Sequence, residues 1–249
     1  MRRLVAVMIA SAAMAVVMAP AAKADSITVV KTSVGFPSND TVNWGGLGVG
    51  VKVPDGSSVV SSTGFTTATI TFGLHSTTGR AGQSFCEVPG SGCTWNGNFA
   101  ATADLLSNIS SRTGKSQGAI DLTFSKGIAD VGFQIESYEL GQFHYVVEAL
   151  DGNTVLGIFF GVGTSNSLNN GSAAFFGLED LTGADITGLK IGAYKCGNGT
   201  NSNCTQGFAI SDLLVRDTTT PEPASLLLLG SSLGLVALLR RKFTAGRAS

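Results

Sequence analysis

The sequence is poor in the residues that most catalytic and metal sites use. Its 249 residues include two histidines and four cysteines, and only 13% are charged, about half the share of an average domain. His75 and His144 lie near no recognisable nucleophile motif. Neither cysteine cluster contains a histidine, which argues against a zinc site. We therefore expect a protein that is not an enzyme and that needs no cofactor.

Basic residues are scarce in the central part of the chain. Residues 25–220 carry 9 Lys and Arg residues against 16 Asp and Glu residues, a formal net charge of −7. Nucleic acids and anionic lipid surfaces are both bound through basic faces. Neither is expected as a partner of this region.

The N-terminus has the pattern of a secretory signal. Arg2 and Arg3 precede an apolar run, and Ala22 and Ala24 supply the small residues that signal peptidase reads. We predict a signal peptide over residues 1–24, used by the general secretory machinery and removed after export.

A short apolar run lies close to the C-terminus. Residues 224–239 are 16 uncharged residues, which as a helix would be about 24 Å long and could span a locally thinned bilayer. Arg240, Arg241 and Lys242 begin a basic tail, 240–249. Because basic flanks stay in the cytoplasm, we predict a single transmembrane helix with the bulk of the chain outside.

Pro221, Glu222 and Pro223 stand just before this run. Proline fixes its own φ and favours an extended residue before it, so the triplet is held extended where a membrane protease can reach it. The triplet, the apolar run and the basic cluster in this order resemble the PEP-CTERM sorting signal. The resemblance implies that residues 218–249 are recognised by an exosortase, which delivers the exported part to the cell envelope or the extracellular matrix.

The four cysteines form two close pairs in the exported region. Their spacing and an oxidising destination favour two local disulfides, although sequence alone does not fix the connectivity. The pairs are Cys86 with Cys93, and Cys196 with Cys204.

The region 25–217 reads as one all-β domain. Period-two alternation and Gly/Asn/Ser turns recur along it, and a jelly-roll-like antiparallel β-sandwich is predicted, with a closed barrel as the alternative. Asp151-Gly152-Asn153 indicates a hairpin, and residues 100–107 a short helix. The predicted strands are 66–72, 119–124, 131–135, 145–149, 174–177, 186–194 and 208–215.

Four stretches of this domain resemble blocks that recur in exported PEP-CTERM proteins. They are TVNWGGLG at 41–48, WNGNFA at 95–100, the run at 129–157 and FAISDLLV at 208–215. The resemblance implies a β-sandwich ectodomain and export, and it leaves the activity open because those proteins as a group have no assigned chemistry.

Two tryptophans and one aspartate are the candidate binding residues. Trp44 and Trp95, each beside Gly and Asn, suit an aromatic plate for a polysaccharide, with core packing as the alternative. Asp212, with Asp40 or Asp130, is a weak candidate for a structural calcium site.

Three functions compete for the exported domain. The preferred one is non-catalytic binding of surface polysaccharide. The second is a secreted carbohydrate-active enzyme that uses Glu136 and Glu139 as a carboxylate pair, although both are expected to be solvated. The third is a purely structural surface protein without a ligand.

Overall fold

The computed structural model describes residues 26–48, 50–72, 76–80, 95, 97–109, 116, 118–195 and 207–217. Fifteen β-strands make up most of this part of the chain. The strands are β1 (Ile27–Val30), β2 (Asp40–Val42), β3 (Lys52–Val53), β4 (Ser58–Val60), β5 (Thr67–Phe72), β6 (Ser76–Arg80), β7 (Asp104–Ser107), β8 (Ile120–Ile128), β9 (Asp130–Ser137), β10 (Gly141–Asp151), β11 (Thr154–Ser165), β12 (Ala174–Asp180), β13 (Ile186–Tyr194), β14 (Phe208–Ser211) and β15 (Leu213–Arg216). Trp44–Leu47 form one 3-10 turn.

The strands form two sheets in which every pairing is antiparallel. The nine-stranded sheet runs in the order β1-β12-β9-β14-β7-β6-β3, with β15 pairing β9 and β2. The six-stranded sheet runs in the order β11-β10-β13-β8-β5-β4. The all-β antiparallel prediction is thereby confirmed for the described residues.

Alternation of side chains explains the longer strands. In β10 the side chains of Phe143, Tyr145 and Val147 are buried while those between them face outward, as the period of two requires. The predicted hairpin after β10 is confirmed, since Asp151 pairs with Thr154 and Gly152 takes a positive φ of 56°. A glycine at that turn position costs no steric strain.

The main hydrophobic core lies between the two sheets. It joins residues of the nine-stranded sheet, such as Val131 and Phe176, to residues of the six-stranded sheet, such as Ile70 and Val147. A second, smaller cluster includes Trp95, Phe99, Leu105 and Ala209. It lies on the other face of the nine-stranded sheet, beneath the segment that carries Trp95, so that sheet is covered on both faces.

The predicted short helix at 100–107 is wrong. Its second half is the strand β7, and all four of its residues are buried. Leu106 belongs to the main core and Leu105 to the smaller cluster on the opposite face. A strand covered on both faces does not alternate between apolar and polar residues, and this is why its sequence resembled a helix.

The predicted strand 208–215 is interrupted at Asp212. The first part, β14, pairs with β7, and the second part, β15, pairs with β2, while β9 runs along the other side of both. The interruption brings Asp212 beside the residues that follow β2. It thereby creates one of the polar clusters described below.

No helix within the described ranges is long and apolar enough to cross a membrane. The predicted signal peptide and transmembrane helix lie outside those ranges.

Candidate functional site

Several predicted residues fall outside the described part of the chain. These are the sorting triplet, the basic cluster, the cleavage-site alanines, His75 and all four cysteines, namely Pro221, Glu222, Pro223, Arg240, Arg241, Lys242, Ala22, Ala24, Cys86, Cys93, Cys196 and Cys204.

Both tryptophans are core residues. Trp44 has no exposed surface, and its indole N–H donates to the carbonyl of Ser211 at 2.8 Å. Trp95 is 1% exposed and packs edge-on against Tyr138 with the ring centroids 5.6 Å apart. Neither ring offers a face to a ligand, so the structure shows core packing in place of the predicted aromatic plate.

Glu136 is buried in β9, contrary to the expectation that it is solvated. The backbone N–H of Asn98 donates to both of its carboxylate oxygens at 2.9 Å, and the indole of Trp95 donates to Oε2 at 3.3 Å. Burial raises the pKa of this carboxyl, and backbone hydrogen bonds from Asn98, Phe99 and Asn166 partly counter the rise. Glu136 therefore anchors the covering segment, while Glu139 is exposed.

Asp212 lies in a polar cluster with Asn43 and Asp104. Its carboxylate accepts the Trp44 backbone N–H at 2.9 Å and the Asn43 side-chain amide at 2.8 Å. A Cβ built on Gly45 would lie 2.5 Å from Asp104 Oδ2 and 2.7 Å from Asn43 Oδ1. Burial, together with the nearby Asp104 carboxylate, raises the pKa of Asp212 to about 6.

The two acids that were expected to join Asp212 are engaged elsewhere. Asp40 accepts hydrogen bonds from the Ser62 hydroxyl and from the Thr63 hydroxyl and backbone N–H; burial opposes them, but they hold its pKa below the ordinary value. Asp130 pairs with Arg216. Within the described ranges no group of three or more metal-ligating acids, histidines or cysteines converges. The calcium site stays a prediction.

The outer face of the six-stranded sheet presents an aromatic pair. His144 on β10 lies opposite Tyr194 on β13, and their rings stack with centroids 5.3 Å apart and an angle of 17° between the planes. Gly192, the outward-facing neighbour two residues before Tyr194, has no side chain to cover the pair. We call His144 and Tyr194 the ring pair.

A row of charged side chains crosses the same face. Glu148 on β10 lies opposite Lys190 on β13, which lies opposite Asp121 on β8. Burial raises the pKa of Asp121, the positive charge of Lys190 lowers it, and the negative charge of Glu148 raises it further. The ring pair and this charged row place stacked aromatic rings and charged, hydrogen-bonding groups on one face of the sheet.

Signals for this face are weaker in the sequence than those for the tryptophans. The period of two in β10 and β13 indicated which side chains share a face, but pairing His144 with Tyr194 requires the register between strands that are distant in sequence. That register is visible only in the folded sheet.

The C-terminal residues contain a protein-sorting motif. The PEP-CTERM protein-sorting motif matches residues 219–242, a range that contains the triplet and the basic cluster. The chain carries a PEP-CTERM sorting signal. An exosortase processes proteins that carry this signal, which implies export toward the cell envelope or the extracellular space.

No curated protein matches the sequence of this chain. Three solved structures are similar to part of this chain. A DUF4465 family protein from Bacteroides caccae is 11% identical over 76% of this chain and 100% of its own, with a TM-score of 0.37.

The other two are more distant. The enzymatically active domain of tailspike protein 4 from bacteriophage CBA120 is 14% identical over 61% of this chain and 19% of its own, with a TM-score of 0.21. A family 29 carbohydrate-binding module from Piromyces equi is 11% identical over 57% of this chain and 90% of its own, with a TM-score of 0.15. TM-scores this low carry no argument about the function of this chain.

Proposed function

We propose that an exosortase sorts this protein to the cell envelope or the extracellular matrix, where its β domain acts as a non-catalytic binding or structural module for surface polysaccharide. The observation that carries the sorting is the PEP-CTERM match at residues 219–242.

The finer features of this proposal follow from the sequence. They are a signal peptide over 1–24, a transient membrane helix over 224–239 and two disulfides formed after export. The assignment of the two sheets to the jelly-roll type belongs to the same proposal. Signal peptidase and the exosortase are the partners that these features require.

The ring pair supports the proposal that the β domain binds polysaccharide. A sugar ring packs its apolar face on an aromatic face, and its hydroxyls need hydrogen-bonding partners at the rim, as in most small-molecule sites. His144 and Tyr194 supply stacked aromatic rings. Glu148 and Lys190 lie on the same face four residues along each strand, beyond the Val146–Gly192 pair, and Asp121 lies opposite Lys190, so a ligand that reaches both groups spans more than one sugar ring. An acidic domain with these features fits a neutral polysaccharide better than an anionic one.

Sorting is tested by replacing the triplet in a host that contains an exosortase. We expect Pro221→Ala/Glu222→Ala/Pro223→Ala to leave the protein in the membrane fraction with its C-terminus attached, as intact mass would show. Arg240→Lys/Arg241→Lys keeps the charges and is expected to sort normally. Unchanged fractionation and mass of the triplet variant would contradict the sorting proposal.

Polysaccharide binding is tested by affinity electrophoresis of the surface-released protein in gels that contain polysaccharide from the producing cells. Tyr194→Ala should abolish retardation, whereas Tyr194→Phe keeps the ring and should retain most of it. Retardation that is unaffected by Tyr194→Ala rules out the ring pair. Absence of any retardation favours the purely structural protein.

The carbohydrate-active enzyme is the alternative, and the burial of Glu136 disfavours it. Both carboxylate oxygens of Glu136 accept hydrogen bonds from the segment that covers it. Hydrolysis of a glycan by the wild type that Glu136→Gln abolishes, with folding intact, would establish the alternative.

A further inference from the structure

The strand β11 forms an unusually long open edge. Within the described ranges it pairs with β10 on one side and with no strand on the other. It is 12 residues long, whereas the other outermost strands β1, β2, β3 and β4 have 4, 3, 2 and 3 residues. Proteins usually keep open edges short because the free backbone N–H and C=O groups recruit another strand.

The usual protections of an open edge are missing from β11. Residues 154–165 contain no charged residue and no proline, the two devices that most often block strand addition. The single irregularity is a bulge near its start, opposite Ala149 and Leu150. The strand from Gly157 onward pairs regularly and leaves a straight edge.

In β11 several glycines face the core and several large apolar residues face the solvent, which reverses the usual arrangement in an outer strand. Its core-facing positions include Gly157, Gly161 and Gly163. The rings of Tyr145 and Phe143, on β10, occupy the space that a side chain at Gly161 or Gly163 would need. The glycines therefore let the neighbouring rings fill the core. Leu156 and Phe159 also pack against the core, while the other large side chains of β11 point outward.

These outward side chains form an apolar stripe. Val155 is 48% exposed, Ile158 53%, Phe160 67% and Val162 51%. Buried apolar surface stabilises a fold, so side chains in these positions contribute little to the monomer. A partner in contact with the stripe would bury part of these side chains.

We propose that β11 pairs antiparallel with β11 of a second copy of this chain, about a two-fold axis at Phe160, so that two six-stranded sheets join into one. In this register Phe160 lies opposite Phe160 of the second copy, and Ile158 lies opposite Val162. Residues 155–165 of both copies then overlap completely, with every outward apolar residue from 158 to 162 opposite another. Cross-strand aromatic and aliphatic pairs are the contacts that stabilise sheets.

The contact available at this edge suits a weak association of two copies. Strand pairing leaves the outer surface of the stripe open to water, so each copy buries the flanks of Ile158, Phe160 and Val162 that face the second copy and the backbone edge of residues 155–165. Such a contact lies at the low end of the ~1,000 Å² of total area that a specific interface requires. The dimer is expected to be weak and to strengthen with salt, because the paired strands are uncharged and the two acidic domains repel each other at low ionic strength.

The chemistry of the stripe disfavours a sugar. A polysaccharide needs polar groups close to its hydroxyls, and between Val155 and Gly163 the strand contains only apolar residues and glycine. His144 of the ring pair lies opposite Val162 of the stripe, whereas Tyr194 on β13 is separated from β11 by β10. Tyr194 is therefore the position that tests polysaccharide binding separately from strand pairing.

The test compares Phe160→Lys with Val60→Lys in the full-length protein by sedimentation in mild detergent. Val60 is a matched control because it is 60% exposed and lies on β4, the opposite edge of the same sheet. All variants keep the apolar tail, so association through the tail is equal in all. We expect Phe160→Lys to raise the dissociation constant of the dimer at least about tenfold, since it removes the central pair and places like charges opposite each other. Val60→Lys should leave the dissociation constant unchanged.

A second measurement does not depend on the strength of the dimer. Phe160→Cys places two thiols beside the two-fold axis and should give a covalent dimer on mild oxidation, whereas Val60→Cys should not. A wild type that remains monomeric up to about 100 µM, equal association of the two lysine variants, or equal cross-linking of the two cysteine variants would overturn the proposal. Thermal melts identical to the wild type show that each variant is folded.

Discussion

Protonation of Asp212 should govern the stability of the domain in mildly acidic solution. The pKa of this carboxyl is raised from 3.8 to about 6 by burial and by the adjacent Asp104 carboxylate. The folded protein therefore holds a proton between about pH 4 and 6 that the unfolded chain releases. The stabilising effect of this proton is complete below about pH 4 and is lost as the pH rises through about 6.

The magnitude follows from the size of the pKa change. One pKa unit corresponds to about 1.4 kcal/mol, so the full change corresponds to about 3 kcal/mol at neutral pH. Because the side chain is only partly buried, solvent screening reduces this value, and we expect about 2 kcal/mol. Asp212→Asn removes the charge and keeps an oxygen for the Trp44 N–H, so it should stabilise the protein by about that amount at pH 7.

The assay is urea unfolding of wild type and Asp212→Asn between pH 4 and 8, in a metal chelator. The difference between the two curves isolates Asp212 from acids such as Asp40, whose lowered pKa makes stability fall as the pH falls. Asp151→Asn, at the exposed hairpin turn, is the control for the general effect of removing one carboxylate. A difference between wild type and Asp212→Asn that does not change between pH 4 and 7 would refute the reasoning.

Three further outcomes are expected. Glu136→Gln should destabilise the domain by about 1–3 kcal/mol, because its amide group would face the Asn98 N–H donor, and chemical denaturation followed by tryptophan fluorescence would measure the loss. Gly161→Ala should lower the melting temperature by about 4 °C or more, because its methyl group would overlap the Tyr145 ring; an unchanged melting temperature would show that the ring moves freely. If the predicted calcium site exists, about 1 mM Ca²⁺ should raise the melting temperature of the wild type but not of Asp212→Asn.

The sequence predicted the long strands and missed the short ones. Alternation over five or more residues located β5, β8, β9, β10 and β13. Strands of two to four residues, such as β3 (Lys52–Val53) and β4 (Ser58–Val60), are too short to display a period. They are ordered by pairing with longer neighbours, which is tertiary information.

Burial of the candidate residues could not be predicted from local sequence. Trp44 and Trp95 stand beside Gly and Asn, which indicates turns, yet both rings are enclosed by segments distant in the chain. Glu136 seemed solvated because Ser137 and Tyr138 follow it, but the segment that covers it begins 41 positions earlier at Trp95. Local composition reports turns, whereas burial depends on which remote segment folds over them.

The strand β11 shows the limit of periodicity most clearly. Large residues and glycine alternate from Phe160 to Gly163, but alternation specifies two faces without saying which one is inside. The volume of the side chains on the paired strand decides which face of β11 is inside. Phe143 and Tyr145 on β10 fill the core beside β11, so the adjacent inward positions of β11 hold Gly161 and Gly163. Only a comparison of side-chain sizes on paired strands identifies the exposed face, and the same comparison explains why an apolar strand at a sheet edge adds little to its own fold.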